Sequence, residues 1–229
     1  MGSNNDYYRD TLSANNLKRC YELAPPRIQQ YLDAEIRYVL KKIHPCDCIL
    51  ELGCGYGRVL CALVQKADRI IGIDTSLDNL RLAKELIGSN QKCNLLQMDA
   101  VHLAFSDHMF DVVICIQNGI SAFHVDQRKL LQESIRVTKP KGIVLFSSYS
   151  EKIWNDRRHW FQLQSDAGLI GELDYEKTRN GTIVCKDGFT ATTLSKAQFL
   201  LLTARLHVKT RIVEVDESSL FCEITPQCI

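Results

Sequence analysis

Residues 48–60 read C-I-L-E-L-G-C-G-Y-G-R-V-L, with Gly53, Gly55 and Gly57 at alternate positions between an apolar run and a helical pattern. Glycine loses more backbone freedom on folding than any other residue. Three of them here point to a tight turn or to a ligand that approaches the backbone closely. The next apolar run ends I-I-G-I-D-T, which sets Asp74 about 20 residues past the glycines, where an acid can accept from both hydroxyls of a ribose. The ligand expected here therefore carries a nucleoside. A G-x-G-x-x-G register begun at Gly53 ends on Arg58, and one begun at Gly55 ends on Leu60, so the loop is poorly made for a dinucleotide pyrophosphate. No Gly-Lys-Ser/Thr follows, which excludes a P-loop.

Such residues need strand ends to hold them. Apolar runs predict strands at 48–52, 69–74, 93–97, 111–116 and 142–149. Between them apolar residues recur at helical spacing: Val59, Leu60, Leu63, Val64 and Ala67; Leu80, Ala83, Leu86 and Ile87; Leu130, Leu131 and Ile135. The run V-V-I-C-I is apolar on both faces, which suits a parallel sheet covered on both sides. Strand and helix alternate, as in a doubly wound α/β fold with right-handed crossovers. The alternating runs V-K-T-R-I-V-E-V and L-F-C-E-I close the chain as an antiparallel pair. The fold class expected is a mostly parallel seven-stranded sheet with an antiparallel last strand, plus a small α+β insertion over the active-site edge.

Pro25-Pro26 opens a helix pattern that Pro45 ends. Residues 150–170 are predicted helical, and Asn180-Gly181 and Asp187-Gly188 are hairpin signals in 171–193. The expected organisation is an N-terminal helical lid at 1–45, a core at 46–149 and 194–229, and an acceptor-side insertion at 150–193.

The 229 residues include 28 basic and 27 acidic side chains, a balance that argues against nucleic acid or an acidic membrane as partner. Hydrophobic residues make up 45% and charged ones 24%, near the globular average, so disorder is not expected. The first residues, M-G-S-N-N-D-Y-Y-R-D, carry no apolar stretch of a signal peptide. Several of the 10 cysteines sit inside apolar runs (Cys48, Cys61, Cys115, Cys222), as free thiols do, which points to a reducing cytoplasm. Cys46-Asp-Cys48 lacks a second pair at zinc spacing, so no metal is expected.

E-L-G-C-G-Y-G resembles the first motif of the class I S-adenosylmethionine-dependent methyltransferases. The resemblance runs in order over roughly residues 46 to 149. I-G-I-D-T-S matches the second motif, L-L-Q-M-D-A the third and F-D-V-V-I-C-I-Q-N-G the fourth, and V-T-K-P-K-G-I-V-L-F resembles the turn and strand after the fifth helix. The resemblance implies S-adenosylmethionine as cofactor, with S-adenosylhomocysteine as product, and direct methyl transfer to a nucleophile. It implies that Gly53, Cys54, Gly55 and Gly57 face the methionine end, where Glu51 orients the ammonium group. Asp74 and Thr75 would meet the ribose, and Asp99 with the Ala100 amide the adenine. Ile116 and Gln117 would flank the adenine or the sulfonium.

The donor is already activated, so alignment can supply much of the rate and no residue is forced to be catalytic. Asn118 could orient an acceptor group. His124 could act as a base, having a near-neutral reference pKa, or could be a surface or capping histidine. Asp174 and Tyr175 could face the acceptor or belong to a solvated hairpin. Trp154, Trp160 and Phe161 could wall a pocket or form the insertion's own core. Tyr7, Tyr8 and Tyr21 could close over the cofactor or pack on the core. The fourth motif reads Q-N-G, without the N-P-P-Y or D-P-P-Y of base-amine enzymes or a Pro-Cys pair. A small-molecule acceptor is the leading expectation. A methyltransferase of protein or RNA, or a non-catalytic cofactor-binding regulator, is the alternative.

Overall fold

The computed structural model describes residues 12–227. Tyr7, Tyr8 and the first part of the expected lid lie outside the described residues. In chain order the described elements are α1 (Ala14–Glu22), α2 (Pro26–Leu40), β1 (Cys48–Leu52), α3 (Arg58–Leu63), β2 (Arg69–Asp74), α4 (Leu77–Ile87), β3 (Cys93–Gln97) and β4 (Phe110–Cys115). Then follow α5 (Gly119–Ala122), α6 (Gln127–Val137), β5 (Thr138–Tyr149), α7 (Trp154–Asp166), β6 (Ile183–Val184), β7 (Thr190–Ala191), α8 (Lys196–Thr203), β8 (Val208–Val215) and β9 (Ser219–Pro226).

Seven strands form one sheet in the order β3-β2-β1-β4-β5-β9-β8. The first five pair in parallel, while β9 runs antiparallel to β5 and to β8. The order reverses between β1 and β4, so the carboxyl ends of those two strands open a crevice. Successive side chains of a strand point to opposite faces. Leu50 and Val113 accordingly join a core with Leu130 and Leu131 of α6, while Ile49 and Val112 join one with Val59, Leu60 and Leu63 of α3.

A second core stands beside the sheet. Leu12, Cys20, Ala24, Ile28, Tyr31 and Leu32 pack with Trp160, Phe161, Leu169, Leu173, Phe189 and Ala191. The N-terminal helices and the segment after β5 thus share one apolar interior, so neither buries its face without the other.

The structure differs from expectation at several element ends, β4 running Phe110–Cys115 in place of 111–116. β5 starts at Thr138, not 142, because Thr138 pairs with Phe110 before the register shifts ahead of Val112. The Lys139 ammonium holds this junction, reaching both Asp111 oxygens at 2.8 and 2.9 Å. Residues 150–170 are a short 3₁₀ turn, Glu151–Ile153, followed by α7, which ends before Gly168. Asn180 and Gly181 both take positive φ, 53° and 77°, as a tight hairpin turn requires.

Candidate functional site

β1 delivers Glu51 and then the glycine turn to the mouth of the crevice. Gly53 has φ +67°, and a Cβ there would lie 2.3 Å from the Phe123 ring, so glycine is required by conformation and by space. Gly57, at φ +90°, starts α3, and its bare Cα lets α4 approach: a Cβ there would lie 3.0 Å from the Ala83 Cβ. Asp74, at the end of β2, ties the turn together. Its Oδ2 accepts from the Gly55 amide at 2.9 Å, and its Oδ1 from the Ser76 amide at 2.8 Å and the Asn79 side-chain amide at 3.2 Å. Burial raises the Asp74 carboxyl above its ordinary value against these bonds, which lower it.

The turn opens on a cavity of about 460 Å³. Glu51, Gly53, Cys54, Gly55, Asp74, Thr75, Asp99, Ala100, Ile116 and Gln117 all line it. Helix α1 covers it with Leu17 and Tyr21, and Met98, Phe123 and Val125 add apolar wall. The volume falls in the range of small-molecule and cofactor sites.

Charge in the cavity is poorly paired. Glu51 is 4% exposed, and its Oε2 has no hydrogen-bond partner. Burial pushes its carboxyl up to about 8, with Arg58 pulling down and Asp74 pushing up. Arg58 Nε and Nη2 are also buried without a hydrogen-bond partner, and its guanidinium stands 5.1 Å from the Tyr21 ring. Burying charges without full pairing is costly, and perturbed carboxyls of this kind gather at functional sites. At the far end Asp99 Oδ1 accepts the Val101 amide at 3.0 Å, while half its side chain stays exposed.

Arg58, Tyr56, Asn79 and Phe123 were missed from sequence. The signal for Arg58 was available: a cation at the first position of a helix opposes the helix dipole, so it is placed there against local preference.

Seven expected site residues do not line the cavity. Gly57 serves the packing of α4 instead, as described. Asn118 spends its amide on the segment after β7, donating to the Thr192 carbonyl at 2.9 Å and accepting from the Ser148 hydroxyl at 2.8 Å. His124 is half-buried and bonded to the Thr190 backbone, and burial holds its pKa below the ordinary value. Trp160 belongs to the second core and donates from Nε1 to the Cys20 carbonyl at 2.8 Å. Trp154 packs against the same core. Asp174 caps a turn, accepting from the Glu176 and Lys177 amides at 3.2 Å. Tyr175 is 60% exposed and donates to the Gln162 side chain. None of the six residues expected on the acceptor side lines this cavity. Aromatic residues at helical spacing and polar residues after a strand serve a core or a loop as readily as a ligand.

Residues 49–142 match a family model described as a methyltransferase domain. The chain is 32% identical over 104 residues to the putative methyltransferase YqeM of Bacillus subtilis, covering 44% of this chain and 42% of that protein. It is 36% identical over 110 residues to a demethylmenaquinone methyltransferase of Lactobacillus johnsonii, covering 45% and 44%. The chain thus matches less than half the length of these two curated relatives. Among solved structures, the N-methyltransferase NodS of Bradyrhizobium japonicum, in complex with S-adenosyl-L-homocysteine, superimposes with a TM-score of 0.64 at 14% identity, covering 97% of this chain and 98% of that one. At that identity the likeness is one of fold.

Proposed function

We propose that this chain is a class I S-adenosylmethionine-dependent methyltransferase that transfers a methyl group from that cofactor to a small-molecule nucleophile, a reading supported by the methyltransferase-domain match over residues 49–142. The observation that carries the reading is the orphaned pair in the cavity. Glu51 Oε2 lacks a donor and Arg58 Nε and Nη2 lack an acceptor. A free α-amino acid end, with its ammonium and carboxylate, supplies both. The Gly53 cradle, which a Cβ would fill, leaves room for close approach of that end. The residues present therefore fit S-adenosylmethionine.

When bound, that cofactor supplies a methyl group already activated on a sulfonium. The roles of the chain are to bind and orient. Glu51 would hold the ammonium and Arg58 the carboxylate. Asp74, fixed by the Gly55 and Ser76 amides, would accept from the ribose hydroxyls. Asp99 and the Ala100 amide would frame the adenine, and Leu17 and Tyr21 exclude water above it. His124 has no part as a base in this reading. An acceptor that arrives with a free lone pair needs none, because alignment supplies much of the rate.

A small acceptor is supported by the cover that α1 places over the cavity, by the near-neutral charge of 28 basic against 27 acidic residues, and by the quinone precursor that one relative's name carries. Among the described residues no helix is long and apolar enough to cross a membrane. The test is incubation with methyl-labelled S-adenosylmethionine and an extract of the source cells, split into metabolite and macromolecule fractions. Label in the small fraction supports the reading and gives a mass to identify. Label in the large fraction overturns the acceptor class, and label in neither overturns the activity.

A further inference from the structure

Glu35 lies on α2 and is 0% exposed, and it does not line the cavity described above. Its Oε2 accepts the backbone amide of Gln117 at 2.7 Å, and its Oε1 accepts from the Ser219 hydroxyl. The same Gln117 amide also points to Ser147 Oγ at 2.8 Å. Gln117 and Asn118 follow β4 with φ of +57° and +63°. Two consecutive side-chain-bearing residues in the left-handed region are disfavoured, and such a conformation persists only where the surroundings hold it. Gln117 in turn lines the cavity, with Nε2 buried and without a hydrogen-bond partner. A carboxylate brought in from a helix outside the expected sheet core thus fixes the backbone of a cavity wall.

We propose that Glu35 is a positioning residue for the cofactor site, holding the left-handed Gln117–Asn118 pair, through the Gln117 amide, in the form that receives the ligand. This rests on the cofactor reading given above. Glu35 touches no ligand and acts only through Gln117. Removing the carboxyl leaves the Ser219 hydroxyl without this acceptor and the Gln117 amide with Ser147 Oγ alone, so stability falls as well, and the conservative and glycine-background variants are what separate positioning from folding.

The probe is S-adenosylhomocysteine, titrated calorimetrically into the whole chain, with melting temperature measured alongside. Glu35→Leu is expected to weaken binding by about tenfold and to lower the melting temperature, and Glu35→Gln, which keeps an acceptor oxygen, to restore binding to within about twofold. In a Gln117→Gly background, where the left-handed conformation needs no support, Glu35→Leu is expected to have no further effect; in Gln117→Ala it is expected to keep its effect. Glu35→Asp, which withdraws the carboxylate by one methylene, serves if the leucine variant does not fold. Unchanged affinity in Glu35→Leu or Glu35→Asp, or an equal loss in the glycine background, overturns the proposal alone. Failure of the wild-type chain to bind S-adenosylhomocysteine overturns the cofactor reading, and this proposal with it.

Discussion

Asp74 holds the Gly55 amide at 2.9 Å, so the residue expected to bind the ribose also closes the turn that frames the other end of the cavity. The two functions are joined in one carboxylate. Asp74→Ala is expected to weaken S-adenosylhomocysteine by roughly 100-fold and to lower stability by about 1–3 kcal/mol, since the Gly55 and Ser76 amides lose their acceptor. Asp74→Asn keeps one carbonyl oxygen and is expected to lose less of both. Calorimetric titration and denaturant unfolding read the two effects separately, and affinity within threefold of wild type in the alanine variant would remove Asp74 from the site.

Glu51 gives the pH dependence. Its carboxyl is raised from 4.5 to about 8 in the free cavity, so the folded chain binds a proton that the unfolded chain has released. The stabilisation from that group is complete below 4.5 and is lost as pH rises through about 8. An arriving ammonium favours the ionised form. Cofactor affinity is therefore expected to rise between about pH 6 and 7.5, by at most about tenfold per unit, with proton release on binding. Titration in buffers of different ionisation enthalpy measures that release. Proton uptake, or a Glu51→Gln variant with the same pH slope, counts against the assignment.

Gly53 faces the tip of the Phe123 ring. Gly53→Ala meets both a positive φ and a carbon contact of 2.3 Å. The backbone part alone is expected to cost about 1–3 kcal/mol. Adding Phe123→Ala relieves the contact and leaves the backbone cost, so the double variant is expected to recover part of the stability and little of the cofactor affinity. Full recovery of stability would show that the turn tolerates a side chain in that conformation.

Arg157 is 1% exposed and donates to the carbonyls of Gly181 at 2.8 Å and Ala191 at 2.9 Å, with its guanidinium 4.4 Å from the Tyr149 ring. Arg157→Met fills much of the same volume but leaves both carbonyls without their donor. The expected cost is about 2–4 kcal/mol. Hydrogen exchange is expected to rise first in 179–193, before the sheet. Uniform exchange over the whole chain would mean that this segment has no separate hold.

The sheet and the glycine turn that opens on the cavity were legible because local chemistry dictates them. A glycine at positive φ beside a ring, an acid at a strand end and apolar alternation each leave a mark within a few residues. Boundaries slipped where long-range pairing decided them, as at Thr138, which pairs with Phe110. The acceptor side was less legible for a related reason. Trp160 and Asn118 carry groups that a ligand could use, but their partners, the Cys20 and Thr192 carbonyls, lie far away in the chain. Glu35 left a mark that went unread: it falls between Leu32 and Val39 on the apolar stripe of its helix, where an acid is out of place.

The apolar interior shared by α1, α2 and the segment after β5 sets a limit on recombination among relatives. A substrate-recognition segment is commonly exchanged as a loop between two fixed strands. Here residues 150–193 cannot travel alone, because Trp160 and Phe189 share an interior with Cys20, Ile28 and Tyr31 of the N-terminal helices. A chimaera that carries both stretches should keep its fold, and one that carries either by itself should lose the cover over the cavity. Inherited changes in the two stretches are thereby tied to one another.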